Sequence, residues 1–231
     1  MFKTLAFLVR RPDLPRAEFA RHYEEVHVPL ALPALPGLER YVRNHLAAGA
    51  EAPEAFDCMT EFWYASAEHA QRVASAMRSD AGRAIRADEL AFMDKPRNRS
   101  FAVEERVLRR CEPEGPAAPR ETLIALFGAD ARGPGFDALV ERELPQLLRG
   151  AAAPAACGAQ RVLEAFTGQS QPLGAVVTLS PGAAAPARAQ LEAWARSQGA
   201  LAALWSRRCE TPRSEIDALR RPTAGGGSPA G

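Results

Sequence analysis

The sequence is poor in features that mark several protein classes. Its four cysteines, Cys58, Cys111, Cys157 and Cys209, are widely separated and form no CxxC pair. Such a pattern fits neither a zinc site nor a secreted disulfide framework. No apolar run approaches the roughly 20 residues that a membrane span needs. We therefore expect reduced thiols and no membrane partner.

An excess of charge of one sign is also absent. Lys and Arg total 29, Asp and Glu total 28, and the net charge is +1. This balance gives no electrostatic reason to expect a nucleic acid or an anionic membrane as partner. The first residues, Met1 to Thr4, do not begin a signal-peptide pattern. The expected location is the cytoplasm.

Strand and helix patterns are present in the order βαββαβ, and this order occurs twice. In the first half we predict strands over residues 2–10, 38–45, 56–64 and 100–108, with a loop over 49–54. In the second half we predict strands over 122–129, 159–167, 173–179 and 205–211, and helices over 135–148 and 186–204. The order is that of the ferredoxin-like fold, and its recurrence indicates an internal repeat.

These patterns predict two domains, over 1–110 and 122–216, joined by a linker over 111–121 and followed by a disordered tail over 217–231. A ferredoxin-like sheet leaves one face without helices, and two such faces packed together enclose a cavity. The predicted fold is therefore α+β, with tandem ferredoxin-like halves packed sheet to sheet as an intrachain dimeric α+β barrel. The alternative is that each half pairs with another chain, as in a homodimer.

Several ordered segments of the first half carry a family resemblance. They read LPRAEF at 14–19, HYEEVHVPL at 22–30, PGLERYVRNH at 36–45, FDCMTEFW at 56–63, DELAFMD at 88–94 and VEE at 103–105. Together they resemble the EthD family of dimeric α+β barrel proteins. The closing strand departs from the family's frequent Glu-Glu-His, because Arg106 follows Glu105. The second half matches only the pattern of the fold.

The resemblance implies a range of activities. Related barrels include lactone isomerases, decarboxylases or dehydratases of aromatic polyketides, and quinone-forming monooxygenases, mostly without a metal or organic cofactor. An analogy of fold does not choose among these activities.

All four histidines, His22, His27, His45 and His69, lie in the first half. Histidine is the usual proton carrier near neutral pH. We take His27, at the end of the first helix, and His45, at the end of the second strand, as candidate catalytic residues. For His27 the alternative is a cation that caps the helix C-terminus. The patterns place His22 and His69 on solvent-facing helix surfaces.

Glu61 is the third candidate catalytic residue. Strand alternation puts it on one face with Asp57, Met59 and Trp63. A buried carboxylate without a partner would cost several kcal/mol, so Glu61 either lines a wet cavity, where it would orient or assist His27, or forms an ion pair with an arginine. For that arginine the neighbouring strand offers two residues, Arg40 and Arg43.

Four further residues are candidates for substrate binding, namely Tyr41, Trp63, Asp57 and Arg40. The two aromatic rings could stack on an aromatic substrate, although aromatic residues on strands also serve as plain core. A metal held by His27, His45 and Glu61 is disfavoured, since no pair has the short spacing of ligand motifs. Haem is disfavoured as well, because haem enzymes of this tandem fold take their axial histidine from the second half, which has none here.

Two functions remain open from the sequence. The first is a small enzyme without cofactor that acts by proton transfer on an aromatic, polyketide-like or lactone-like molecule. The second is a non-catalytic accessory protein that binds a hydrophobic small molecule or a redox partner.

Overall fold

The computed structural model describes residues 1–47, 56–109, 120–150, 153–167, 173–181 and 187–218. The strands in these ranges are β1 (Phe2–Leu8), β2 (Leu38–Leu46), β3 (Cys58–Tyr64), β4 (Arg99–Arg109), β5 (Arg120–Gly128), β6 (Ala156–Thr167), β7 (Leu173–Ser180) and β8 (Ala202–Glu210). The α-helices are α1 (Arg16–His22), α2 (Val28–Ala31), α3 (Ala67–Ala76), α4 (Asp80–Phe92), α5 (Pro134–Ala138), α6 (Leu144–Arg149), α7 (Ala187–Ser197) and α8 (Arg213–Ala218). Two π-helical turns, Tyr23–His27 and Leu139–Glu143, and three short 3₁₀ turns, Leu32–Ala34, Lys95–Arg97 and Ala129–Arg132, complete the list.

All eight strands form one closed antiparallel barrel, in the order β1-β3-β2-β8-β5-β7-β6-β4. Two hydrogen-bonded seams join the halves of the chain. At one seam β2 pairs with β8, and at the other β4 pairs with β6. The predicted α+β barrel within one chain is therefore present, but its halves meet along strand edges and not only face to face. Edge pairing satisfies backbone groups that would otherwise stay open on both sheets. Because both seams close within one chain, the barrel needs no second subunit.

The barrel interior is packed with side chains. Every strand contributes at least one buried apolar residue to a single cluster, made of Leu5, Phe7, Val9, Leu46, Phe56, Met59, Phe101, Val103, Ile124, Leu126, Val162, Leu173, Val176 and Leu204. An eight-stranded barrel has an interior just wide enough for its own side chains to fill. Among the described residues, this core lies between the two halves, where the sequence predicts a cavity.

Helices cover the outer face of the barrel. On β3, Met59 points into the interior cluster, whereas Cys58 and Tyr64 belong to a second cluster with Phe19 of α1 and Phe92 of α4. The predicted alternation along β3 is confirmed by this split. A third cluster packs α5, α6 and α7 against the outer face of the second half.

The helix predicted over 186–204 is too long. In the structure α7 ends at Ser197, and residues 202–204 belong to β8. Gly199 adopts a φ of 76°, a left-handed conformation that ends helices and suits glycine. The run of alanines around this point favours a helix locally, but the glycine overrides that preference.

The boundaries at the linker and the tail also differ from the prediction. Residues 120 and 121, assigned to the linker, begin β5, and residues 217 and 218, assigned to the tail, end α8. α8 is held by Ile216, which is 3% exposed and packs in the outer cluster of the first half. The predicted loop at 49–54, the linker at 111–119 and the tail after 218 lie outside the described residues.

We predict that Ile216→Ala lowers the free energy of unfolding by about 3 kcal/mol, the usual cost of truncating a buried isoleucine. The matched control is Leu163→Ala on β6, because that side chain is 53% exposed and its loss should cost little. Urea unfolding followed by circular dichroism measures both. Similar small effects in the two variants would mean that α8 does not stabilise the barrel.

Candidate functional site

A π-helical turn places His27 over the outer face of the first half. The Val28 N–H donates to the Tyr23 carbonyl, five residues back, and Pro29 follows at once. A proline within a helix lacks its own N–H and clashes with the carbonyl four residues earlier, and a π turn is a known way to widen the helix locally. The second half repeats this arrangement with Leu139–Glu143 and Pro145, so that Glu143 ends its turn as His27 ends the first.

His27 forms a dyad with Asp88 of α4. Its Nδ1 lies 2.8 Å from one carboxylate oxygen of Asp88, and the other oxygen lies 2.7 Å from Nε2 of His22. The Phe92 ring contacts both imidazoles, with centroids 4.6 Å from His22 and 5.2 Å from His27. Asp88 therefore fixes two histidines at once, and packing on Phe92 limits the rotation of both rings.

The environment of His27 favours its neutral form. Burial lowers the pKa of the imidazole below its usual value, and the hydrogen bond to Asp88 offsets only part of this effect. An ionised carboxylate can only accept, so the proton of neutral His27 sits on Nδ1 and is donated to Asp88. The Nε2 lone pair has no hydrogen-bond partner among the described residues, and His27 keeps 5% of its surface exposed. Neutral His27 therefore has its Nδ1–H paired with Asp88, with Nε2 left as an acceptor.

His45 lies on the same outer face, but its surroundings shift its pKa in the opposite direction from that of His27. Its Nε2 is 2.6 Å from the Glu24 carboxylate. That carboxylate also accepts two hydrogen bonds from Arg43, at 2.6 and 3.1 Å. Burial lowers the pKa of His45, but the neighbouring Cys58 sulfur and the Glu24 carboxylate raise it, to about 9. These contacts favour the protonated form of His45, paired with the Glu24 carboxylate.

Tyr23 separates the two histidines. Its ring centroid lies 5.3 Å from that of His27 and 5.6 Å from that of His45. Its hydroxyl lies 2.9 Å from Thr60 and accepts a hydrogen bond from Tyr41. Tyr41, predicted to stack on a substrate, is 1% exposed and stacks on Phe62 instead. In this structure Tyr41 is a core residue.

Glu61 lies inside the barrel, on the other side of the sheet from His27. It is 2% exposed and accepts hydrogen bonds from Lys3 at 2.7 Å, Asn44 at 2.9 Å and Arg208 at 3.4 Å. Burial raises the pKa of its carboxyl, but Lys3 and Arg208 outweigh this effect and hold the pKa at about 2. The predicted pairing of Glu61 with His27 is wrong. The alternative of an ion pair is right in kind, although its cations are Lys3 and Arg208 and not Arg40 or Arg43.

Trp63 belongs to the same interior network, and Arg40 lies at its rim with a side chain that is 40% exposed. Trp63 donates to Glu105 at 2.8 Å and lies under the Lys3 ammonium, 4.0 Å from the ring centroid. Arg40 donates two hydrogen bonds to Glu210, and its guanidinium carbon lies 4.8 Å from the centroid of the Trp63 ring. The network holds three cations and three carboxylates, namely Lys3, Arg40, Arg208, Glu61, Glu105 and Glu210. The numbers of positive and negative groups in this network are therefore equal.

Asp57 is held at the other end of β3. It accepts from the backbone and side chain of Arg10 and from Arg16 at 2.9 Å. These bonds tie the loop after β1 and the start of α1 to the sheet. Of the seven predicted site residues, the structure therefore places His27, His45 and Tyr41 on the outer face, Glu61 and Trp63 in the interior, Arg40 at the partly exposed rim of the network and Asp57 at a strand end.

Sequence reasoning missed the carboxylates that define the site. Asp88 lies in the segment at 88–94 and Glu24 in the segment at 22–30, both of which carry the family resemblance. Their partners are distant in sequence, which no spacing rule reveals. Glu24 and His45 also approach Cys209 of β8, and the donor atoms of the three residues lie within 4.8 Å of one another. The metal set considered from sequence, His27, His45 and Glu61, is not assembled.

The fold and the dyad define a protein of the α+β barrel class with a histidine site on a helix-covered face. Residues 11–96 match the model of the EthD domain. The chain is 30% identical to an EthD family protein from Bacillus halodurans, over 41% of this chain and 90% of that one, with a TM-score of 0.32. Through its first half the chain belongs to the EthD family. The comparison with curated proteins gives no match.

Solved structures share the fold over most of the chain. An anthrone oxidase-like protein aligns with a TM-score of 0.60 and 12% identity, over 90% of this chain and 92% of that one. A protein from Fusobacterium nucleatum, named provisionally as a monooxygenase, aligns with a TM-score of 0.54 and 5% identity, over 91% and 92%. At these identities the likeness shows the fold. None of the described helices is long and apolar enough to span a membrane.

We predict that Glu61→Gln lowers the free energy of unfolding at neutral pH by about 3 kcal/mol, because it leaves buried cations without their carboxylate. Since the folded pKa of Glu61 is about 2 and the ordinary value is 4.5, the unfolded chain binds the proton more tightly. The wild type should therefore lose stability as pH falls from about 4.5 to about 2, and the variant should lose less. Denaturant titrations across this range measure both.

The control for this prediction is Glu164→Gln on β6, whose side chain is exposed. It should match the wild type at each pH. A Glu61→Gln variant with wild-type stability at neutral pH would show that the interior network contributes nothing to the fold.

Proposed function

We propose that this protein is a small-molecule enzyme in which His27 abstracts a proton from an aromatic, polyketide-like or lactone-like substrate. The observation that carries the proposal is the dyad of His27 and Asp88, with Nδ1 bound at 2.8 Å and Nε2 unbound among the described residues. The reaction is of the isomerase, lyase or oxygenase type and uses no organic cofactor. The residues of the first half carry the chemistry.

Asp88 orients the base and stabilises the charge that forms on it. When Nε2 takes the substrate proton, the imidazolium keeps its Nδ1–H donated to the Asp88 carboxylate, as in other histidine–carboxylate pairs. The lowered pKa of His27 keeps Nε2 unprotonated at neutral pH, which is the state a base needs. Because His22 bonds the second oxygen of Asp88, the carboxylate cannot easily rotate away.

His45 has a different role in this proposal. As an imidazolium held by Glu24, it cannot accept a proton, but its positive charge on the same face favours an anion formed nearby. Tyr23 lies between it and His27, with its ring against both. The catalytic assignment of the outer face is therefore His27 as base and His45 as a fixed cation.

An oxygenase reaction is the form of this chemistry that the anthrone oxidase-like neighbour suggests. Removal of a C–H proton from anthrone gives a resonance-stabilised anion, and O₂ then oxidises that carbon. The balance is anthrone plus O₂ to anthraquinone plus water, so the oxidant is O₂ and the protein supplies the base. The substrate of this chain would share an acidic C–H next to an aromatic or carbonyl system.

The second half supports the site in this proposal. We interpret it as a diverged ferredoxin-like repeat, because its elements follow the same order and its π turn ends at Glu143 before Pro145. It contains no histidine. Its contribution is to complete the barrel, whose first-half strands hold the face that His27 covers.

A non-catalytic binding protein is the second candidate, and one observation favours it. A cleft of about 280 Å³ lies in the second half, lined by Phe127, Gly128, Asp130, Leu139, Arg142 and Glu143 among others. Its lining residues belong to the second half and include neither His27 nor Asp88, and His27 is itself only 5% exposed. A ligand in that cleft would need no base.

We predict that the protein catalyses exchange of the acidic C–H protons of anthrone with deuterium in D₂O without O₂. Under these conditions proton removal is observed apart from any oxidation. His27→Gln should lower the exchange rate by about 10²-fold or more, the scale of a lost general base, and Asp88→Asn should lower it as well. Proton NMR measures the rate.

Glu143→Gln is the matched control, because Glu143 occupies the corresponding place in the second half. It should exchange anthrone at the wild-type rate, and both variants should keep the wild-type Tm. Equal losses in His27→Gln and Glu143→Gln would show that the halves act together. Saturable binding of anthrone without exchange above the uncatalysed rate would favour the binding protein.

A further inference from the structure

A second cluster of reactive side chains lies where the two halves of the chain join. Glu24 comes from the first π turn, His45 from β2 and Cys209 from β8, and their oxygen, nitrogen and sulfur atoms all lie within 4.8 Å of one another. We propose that these three residues bind a divalent metal ion that accepts sulfur, with Zn²⁺ as the preferred ion. The site includes neither His27 nor Asp88, but it shares His45 with the outer face described above, and an ion bound at Nε2 would replace the proton of that imidazolium.

The donor set selects the metal. Zn²⁺ binds thiolate, imidazole and carboxylate, and sites with three protein ligands keep a fourth position for water or substrate. A sulfur donor disfavours Mg²⁺ and Ca²⁺, which prefer oxygen, whereas the combination of sulfur and imidazole suits zinc. The three residues are far apart in sequence, but their carboxylate, imidazole and thiol donor atoms lie close enough together to bind one ion.

Surrounding contacts hold the ligands in position. Arg43 binds both oxygens of Glu24, and it is itself anchored by Thr211 at 2.6 Å and by the Tyr41 carbonyl at 3.2 Å. Hydrogen bonds of this kind orient the ligands of metal sites. The ring of His45 is 3% exposed and packs against Phe19. Its Nδ1 is a buried atom with no partner among the described residues.

Binding requires a small local rearrangement. Nε2 of His45 now lies 2.6 Å from Glu24, and an ion with ligand distances of about 2.0 to 2.3 Å would separate these atoms slightly. The Glu24 side chain is 21% exposed, so its carboxylate is the part of the site that solvent and an incoming ion can reach.

The position of the site gives the ion a structural effect. His45 and Cys209 lie on β2 and β8, which form the seam between the two halves. An ion bound to both strands would cross-link that seam in the folded state alone. Binding that is limited to the folded state raises stability by mass action.

Cobalt substitution tests the proposal. Co²⁺ takes zinc sites, and a cobalt–thiolate bond gives a charge-transfer band in the near ultraviolet. We expect this band in the wild-type protein with one Co²⁺ per chain, and its loss on addition of one equivalent of Zn²⁺. Cys209→Ser should abolish the band. Cys157→Ser should keep it, because Cys157 is buried in the outer cluster of the second half.

Two further variants make the outcome decisive. His27→Gln should keep the band, which separates this site from the proposed catalytic dyad. Zn²⁺ at a hundredfold excess over its Kd should raise the Tm of the wild type by about 5 °C and leave that of Cys209→Ser unchanged, with both proteins equally folded without metal. A band that persists in Cys209→Ser, or no band in the wild type, would overturn the proposal.

Discussion

The closing of the sheet into a barrel decides where chemistry can occur in this protein. The seams of β2 with β8 and of β4 with β6 leave no open sheet edge among the described strands, and eight strands enclose a space in which their side chains form a core. Charged residues that point inward must then satisfy one another. Glu61 does so with Lys3 and Arg208. A carboxylate with a pKa near 2 stays ionised at neutral pH, whereas the histidine whose pKa is lowered lies on the helix-covered outer face.

On that outer face, the two halves of the chain share a backbone geometry but carry different side chains on it. Each half has a π turn followed by proline, and each turn presents its last residue at the same place. The first half puts His27 there and supplies Asp88 from α4, whereas the second half puts Glu143 there. The widened turn is therefore a property of the fold, and the dyad is a property of one half. His27 and His45 also differ in their surroundings. Burial lowers the pKa of His27, whereas Cys58 and Glu24 raise that of His45.

The sequence predicts the strands, their order and the alternation along β3, because these depend on local patterns. It does not predict which face of β3 is the interior, since that depends on the closure of the barrel by the pairing of β2 with β8 and of β4 with β6. The expected pair of His27 with Glu61 is wrong for this reason. The end of α7 was missed where a single glycine, Gly199, overrides an alanine-rich run. Asp88 and Glu24 lie in segments that carry the family resemblance, but their contacts are with residues on other elements, which those segments do not reveal.

The two seams show what a single chain gains over two identical ones. In a barrel made of two copies, symmetry would place the same residues at both seams. Here the outer side of one seam carries Glu24, His45 and Cys209, whereas the other carries ion pairs of Glu104 with Arg106 and Arg161. Covalent linkage of the halves lets each seam change without the other. A site that draws ligands from both halves can then exist once per barrel, with no second copy that must also be kept intact.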